Sequence, residues 1–324
     1  MSENLPEEEL NRLKYFPITM FATTMGLAGL TLMYEKAAHI LGVPHIIGES
    51  LLYITTVIFF LISIIYVIKF IKYPNEVKKE WGHPIRVNFF AAFSISLLIL
   101  SMAHEHMYPL VSEYMFYVGA SVHFFLTLHT IKFWINHNQE KVHSNPAWFI
   151  PIVGNVLVPV AGAQYANIHI LGYFYSVGLF FWVILFAVLF NRIIFHHQLA
   201  TKFIPTLFIF IAPPAVAFIS YVKLFGSYND FFAILLFNLA LFFSILVLFM
   251  YKNFIKIKFF ISWWAFTFPI AAMSLATLLL YSKTKDTMLM YLSYTMVSIT
   301  TIVIAIVFIA TIKNMFKHEV CINE

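Results

Sequence analysis

Apolar residues fall in ten long runs along the 324-residue chain, separated by short polar stretches. The runs cover approximately 16–34, 48–71, 85–104, 110–133, 148–165, 170–195, 203–222, 229–251, 259–281 and 287–312. Each is close to the roughly 20 mostly apolar residues that carry a helix across a ~30 Å hydrocarbon core. The fifth run is the most dilute, because Pro151, Gly154, Asn155, Pro159 and Gln164 interrupt it. It is kept because dropping it would scramble the charge pattern described below. The pattern therefore predicts an all-α integral membrane protein of ten transmembrane helices.

Prolines divide these helices into two sets. Pro17, Pro84, Pro151, Pro159, Pro205, Pro213, Pro214 and Pro269 lie inside or at the start of odd-numbered runs, whereas even-numbered runs carry only Pro109, at the beginning of the fourth. A proline removes an intrahelical hydrogen bond and kinks the helix. Within a bilayer such a break is tolerated where neighbouring helices or cavity water satisfy the freed backbone groups. Five broken helices alternating with five regular ones predict an inner set lining a cavity and an outer set facing lipid, one helical hairpin per repeat.

Composition agrees with the membrane reading. Hydrophobic residues make up 61% of the chain and charged residues 11%, against roughly 25% charged in soluble domains. The net charge of +5 is not a nucleic-acid stripe, since the basic residues are scattered between apolar runs. The single cysteine, Cys321, excludes a disulfide framework and a cysteine-rich zinc site. No cleavable signal is visible, because the first fifteen residues are charged (Glu3, Glu7, Glu8, Glu9, Arg12, Lys14) and the first run lacks a small-residue cleavage site.

Charge also orients the helices. With the N-terminus in the cytoplasm, sixteen Lys and Arg residues fall on the inner side, and only Lys36, Lys223, Lys283 and Lys285 fall outside. Positive residues concentrate in cytoplasmic loops. The expected layout is a short cytoplasmic segment 1–15, a ten-helix channel domain 16–314 and a cytoplasmic tail 315–324, in an inner or plasma membrane.

Little in the odd runs can grip a charged solute. No ionisable side chain lies between Pro17 and Tyr34, from Trp148 to Tyr165, or from Phe260 to Tyr281. Intramembrane ionisable residues usually mark proton and substrate paths. Their scarcity favours a weakly binding pore over a tight-binding pump, although backbone amides alone can also bind anions. Arg86 stands two residues after Pro84, as an interfacial anchor or as a cation at the inner mouth that concentrates anions. His104 and His106 flank Glu105, but two residues apart on a helix they point about 200° from each other. They read as an outer polar loop, and no metal site is expected. His123 and His129 read as packing or interfacial residues, and His196 and His197 as an inner surface loop. Among the 37 phenylalanines, Phe268 stands out because it directly precedes Pro269 in Trp263-Trp264-Ala265-Phe266-Thr267-Phe268-Pro269. An apolar ring projecting into an uncharged pore would block hydrated ions, as hydrophobic constrictions do. No zinc-protease, phosphate-loop or dinucleotide motif is present, so no enzyme, cofactor or nucleic-acid partner is expected.

Several of these motifs resemble one family. Phe16-Pro17-Ile18 with Phe21 and Gly26-Leu27, His83-Pro84-Ile85-Arg86-Val87-Asn88-Phe89-Phe90, Gly154-Asn155, Phe210-Ile211-Ala212-Pro213-Pro214 and Trp263 through Pro269 are similar, in order and spacing, to the slow-type anion channel, tellurite-resistance and C4-dicarboxylate transporter family. The resemblance implies a homotrimer in which each protomer is a quasi-five-fold ring of helical hairpins around its own central pore. It implies that Phe268 is the gate and that Pro17, Phe21, Gly26, Pro84, Asn88, Gly154, Asn155, Pro213, Pro214, Thr267 and Pro269 line the pore. Thr267-Phe268-Pro269 is nearer to the plant form, and regulation through long plant-type tails is not expected. Two functions stay open: a channel for small anions such as chloride or nitrate, and a carrier for C4-dicarboxylate, sulfite or tellurite-type oxyanions. A receptor or enzyme has no support in the sequence.

Overall fold

The computed structural model describes residues 12–321. Residues 1–11 of the expected N-terminal segment and 322–324 of the expected tail lie outside the described residues. In chain order, α1 (Phe21–Leu41) and α2 (His45–Lys72) form a first hairpin, followed by the short polar α3 (Pro74–Trp81). Four more hairpins follow: α4 (Ala91–His104) with α5 (Pro109–Asn136), α6 (Ile150–Gly162) with α7 (Ile168–Phe195), α8 (Ala212–Phe225) with α9 (Phe231–Phe249), and α10 (Thr267–Thr284) with α11 (Thr287–Phe316). Each apolar run thus falls on helix. Among the described residues, seven stretches are long and apolar enough to cross a membrane by length and composition: Arg86–His104, Thr201–Phe225, Ile261–Thr284, α2, α7, α9 and α11. Among the described residues the fold is all-helical, that of a multi-pass membrane protein.

The turns are cut by local chemistry. Gly42 and Gly226 end α1 and α8 with φ of 74° and 72°, a left-handed conformation that costs glycine nothing. Asp230 and Asp286 begin α9 and α11, their carboxylates accepting from the Ala233 N–H and from the Met288 and Leu289 N–H groups.

Inner and outer helices differ as the proline pattern requires. Arg86–His104 is 89% buried, whereas α2 is 22% buried. All residues of α6 are buried. Each inner helix touches its inner neighbours: α1 meets α4 and α10, α6 meets α4 and α8, and α8 meets α10. Where α1 crosses α10 the fit is tight. A Cβ on Gly26 would stand 2.1 Å from Thr267 Oγ1, so glycine is what lets the two backbones approach. Small hydroxyls tie helices together, Thr24–Ser96 (2.7 Å) between two inner helices, and Thr31–Thr55 (3.1 Å) and Ser274–Thr300 (2.8 Å) between an inner helix and its outer partner.

The prolines act differently from simple mid-helix kinks. Every inner helix is preceded by a 3-10 stretch: Ile18–Met20, Arg86–Phe90, Pro146–Phe149, Thr201–Ile211 and Ile261–Phe266. Pro17 precedes the first, Pro84 lies just ahead of the second, and Pro205 lies within the fourth. Pro151, Pro213, Pro214 and Pro269 occupy first turns of α-helices, where a missing N–H leaves no bond unmade. Among the odd-run prolines only Pro159 sits inside an α-helix. Each inner helix is thus entered through a segment that combines proline with a 3-10 stretch.

Candidate functional site

Two cavities lie along the inner helices. The larger, of about 940 Å³, opens at the end where both described termini lie. Its mouth carries Lys14, Lys69, Lys79, Arg86 and Lys202 against Glu76, Glu80 and Glu319, an excess of positive charge. Deeper in, the wall becomes apolar, with Ile95, Val153, Leu157, Ile209 and Val216. The smaller cavity, of about 100 Å³, is lined towards the opposite helix ends by Leu32, Ile99, Val160 and Leu278, with Lys36, Glu105 and Lys223. Phe268, Leu157 and Val216 belong to the lining of both. The Phe268 ring rests beside Gly29 of α1, where an added Cβ would come within 3.4 Å of its Cδ2.

The mouth is held by a buried ion pair. Lys69 Nζ donates to Glu80 Oε2 at 2.9 Å and to the Phe16 carbonyl at 2.7 Å. Glu80 also accepts from the Tyr66 hydroxyl at 2.7 Å and from the Ile18 N–H at 3.2 Å. Both charged side chains are almost fully buried, at 2% and 3% exposure. This latch joins α2 and α3 to the residues either side of Pro17, and so sets where α1 begins. Nearby, His83 Nδ1 accepts from the Ile85 and Arg86 N–H groups at 3.1 and 3.3 Å, fixing the start of the Arg86–Phe90 turn. Burial, then the positive charges of Arg86, His143 and Lys202, hold the His83 imidazole below its ordinary pKa. Its acceptor role requires the neutral ring.

The residues singled out in the sequence divide into two groups. Pro17, Arg86, Gly154, Phe268 and Pro269 line the larger cavity. Phe21, Gly26, Pro84, Asn88, Asn155, Pro213, Pro214 and Thr267 do not line it. Phe21 packs edge-on against Tyr66 and Phe93, and Gly26 faces Thr267 and Trp264. Asn88 and Asn155 turn back onto backbone carbonyls of their own first turns, at Pro84 and Ile85 and at Pro151 and Ile152. Thr267 donates to the Trp264 carbonyl at 2.7 Å. These residues serve the helix starts and crossings behind the wall.

Of the histidines, one departs from its expected setting, and His123 keeps its packing role. His104 is not in a polar loop. It is the buried last residue of α4, bound to the Leu100 carbonyl at 2.8 Å. His123 faces inward, its Nδ1 2.8 Å from Ser94 Oγ and its ring against Gly154. No metal-binding group of three or more His, Cys, Asp or Glu occurs among the described residues. Sequence reasoning missed Glu80, His83 and Glu105 as wall or latch residues. Their signal was present, as ionisable residues flanking apolar runs, but the inner and outer tally counted only basic residues.

The chain is 28% identical over 309 residues to the S-type anion channel SLAH3 of Arabidopsis thaliana, covering 93% of this chain and 48% of that protein. It is 25% identical over 347 residues to an uncharacterized transporter of Methanocaldococcus jannaschii, covering 97% of both. A tellurite resistance protein TehA homolog of Haemophilus influenzae is 24% identical over 269 residues, covering 82% of each. The chain spans about half the length of the plant channel SLAH3. Residues 15–312 match the family described as SLAC1, voltage-dependent anion channel, and with its inner helices, cation-rich mouth and apolar depth the chain belongs to that family.

Proposed function

We propose that this protein is an anion channel whose ten helices all span the membrane, five hairpins forming a quasi-five-fold ring around a central pore. Both termini lie in the cytoplasm, the larger cavity is the inner vestibule, and three protomers assemble in an inner or plasma membrane. Chloride, nitrate or a similar small anion is the permeant species. Anion transport is the property common to the family; the pore, its gate and its assembly are our reading. The observation that carries it is the position of Phe268, whose single apolar ring, with Leu157 and Val216, belongs to both cavities. A dry constriction of this kind excludes hydrated ions until the ring moves, while cations at the mouth raise the local anion concentration. Phe268→Ala should raise anion current strongly in oocytes or planar bilayers, and a current that stays near zero would refute gating by this ring.

The large vestibule keeps a second reading open. About 940 Å³ with an excess of positive over negative charge at its mouth is room for a C4-dicarboxylate, sulfite or tellurite-type oxyanion in a carrier cycle. Proteoliposome flux that saturates at low substrate concentration and needs a proton gradient would favour the carrier.

A further inference from the structure

The smaller cavity carries three ionisable side chains in an otherwise apolar lining: Lys36 on α1, Glu105 just beyond α4 and Lys223 on α8. They come from three different hairpins and meet at the ends where these inner helices stop. Helix C-termini present partial negative charge, so an anion leaving the Phe268 constriction would meet repulsion without compensating cations. Two of the four lysines assigned to the outer side supply it. Lys223 lies within Coulombic reach of both Glu105 and Lys36. Gln164 Nε2 donates to Glu105 Oε1, which holds the carboxylate in place. Glu35 lies within Coulombic reach of Lys36 and Glu105 but outside this lining; its side chain packs beside Gly48 of α2.

Two ammonium groups and one carboxylate leave a single positive charge on the lining. A volume near 100 Å³ equals the liquid share of about three waters, at roughly 30 Å³ each. One halide or nitrate with a remnant of hydration fits this space and this charge. A dianion would keep an uncompensated charge and face the Glu105 carboxylate at close range. From this lining we infer that Lys36, Lys223 and Glu105 form a charge filter beyond Phe268 that passes small monovalent anions and turns back dianions, with Glu105 as the discriminating group. This rests on the channel reading and names its substrate class. Discrimination by a repulsive element is a general route to specificity.

Glu105→Gln removes the charge but keeps an oxygen for Gln164. In the Phe268→Ala background, reversal potentials with sulfate against chloride should show the sulfate-to-chloride permeability ratio rising about two- to tenfold, as expected when one nearby charge is removed. Glu105→Asp should stay near the parent ratio. Lys36→Gln or Lys223→Gln should lower chloride conductance and bend the current–voltage curve when chloride is supplied from outside. An unchanged ratio in Glu105→Gln, with the Phe268→Ala chloride current intact, overturns the filter and leaves the channel reading standing. If Phe268→Ala carries no anion current, the channel reading fails instead. Uptake of radiolabelled sulfate against chloride into proteoliposomes then tests the filter directly, and a ratio identical in Glu105→Gln and the parent overturns it.

Discussion

Replacing Glu80 by Gln removes one charge from a buried pair and alters almost no volume. The Glu80 carboxylate accepts three bonds, from Lys69 Nζ at 2.9 Å, the Tyr66 hydroxyl at 2.7 Å and the Ile18 N–H at 3.2 Å. The amide oxygen of Gln can keep one side of this set, but its NH₂ must face a donor on the other. With its oxygen in the Oε2 place it keeps the Lys69 and Tyr66 bonds, but its NH₂ then meets the Ile18 N–H, donor against donor. The Lys69 ammonium would then remain at 2% exposure with neutral acceptors only, the amide oxygen and the Phe16 carbonyl, and no countercharge in the latch. Breaking a buried pair in this way costs about 3–5 kcal/mol. Summing the three bonds separately would count the same desolvation repeatedly. The loss should appear as a shorter half-life on heating in detergent, read as surviving protein by size-exclusion chromatography at fixed temperature, since membrane-protein unfolding is commonly irreversible. Lys69→Met alone should also destabilise, and the double variant Lys69→Met/Glu80→Gln should lose less than the sum of the two. A Glu80→Gln protein within about 0.5 kcal/mol of the parent, the range of an ordinary surface change, would refute the latch, as would a strictly additive cycle.

Further expectations follow from the same contacts. Gly154→Ala places a Cβ 2.1 Å from His123 Cε1 and 2.9 Å from Ile95 Cδ1, an overpacking that costs about 1–3 kcal/mol. His123→Ala in the same chain should recover part of that loss in the heating assay, and no recovery would place the strain elsewhere. Because the folded His83 titrates below the ordinary value of 6.5, the unfolded chain binds the extra proton between the two pKa values. Stability should therefore be highest above that range and fall as pH drops below about 6.5. His83→Asn, whose oxygen can accept the same N–H bonds, should flatten that part of a stability-against-pH profile; an unchanged slope assigns it to another group. Burial pushes the Cys321 thiol up to about 11. Maleimide labelling near neutral pH should therefore run slower than for a free thiol, because the thiolate is the reactive form, and labelling at the free-thiol rate would contradict the burial.

Hydrophobic run length, helped at the dilute fifth run by the charge pattern, located the ten apolar helical stretches but not the short polar α3, because a helix that crosses a bilayer needs about 20 apolar residues whatever its partners are. The alternation of prolines separated buried from outward-facing helices for a similar reason, since proline is confined to sites where its missing N–H is harmless. The special position of Phe268 was also legible, from its place beside the one proline of the ninth run. Three things were decided only by the tertiary structure. Which polar residues face the lumen depends on helix rotation and on contacts distant in sequence. Asn88 and Asn155 look like pore ligands in the chain, yet they bond to their own helix starts. The Lys69–Glu80 pair reads as one charge at the end of the second run and one in the polar stretch after it, until α3 folds back against α2 and buries both. Lys36, Glu105 and Lys223 share a cavity because three hairpins bring their inner-helix ends together. Local sequence sets where a helix begins and which residues lipid can accept, whereas the rotation of one helix against the next is set by close packing, and that packing decides which side chains an ion would meet.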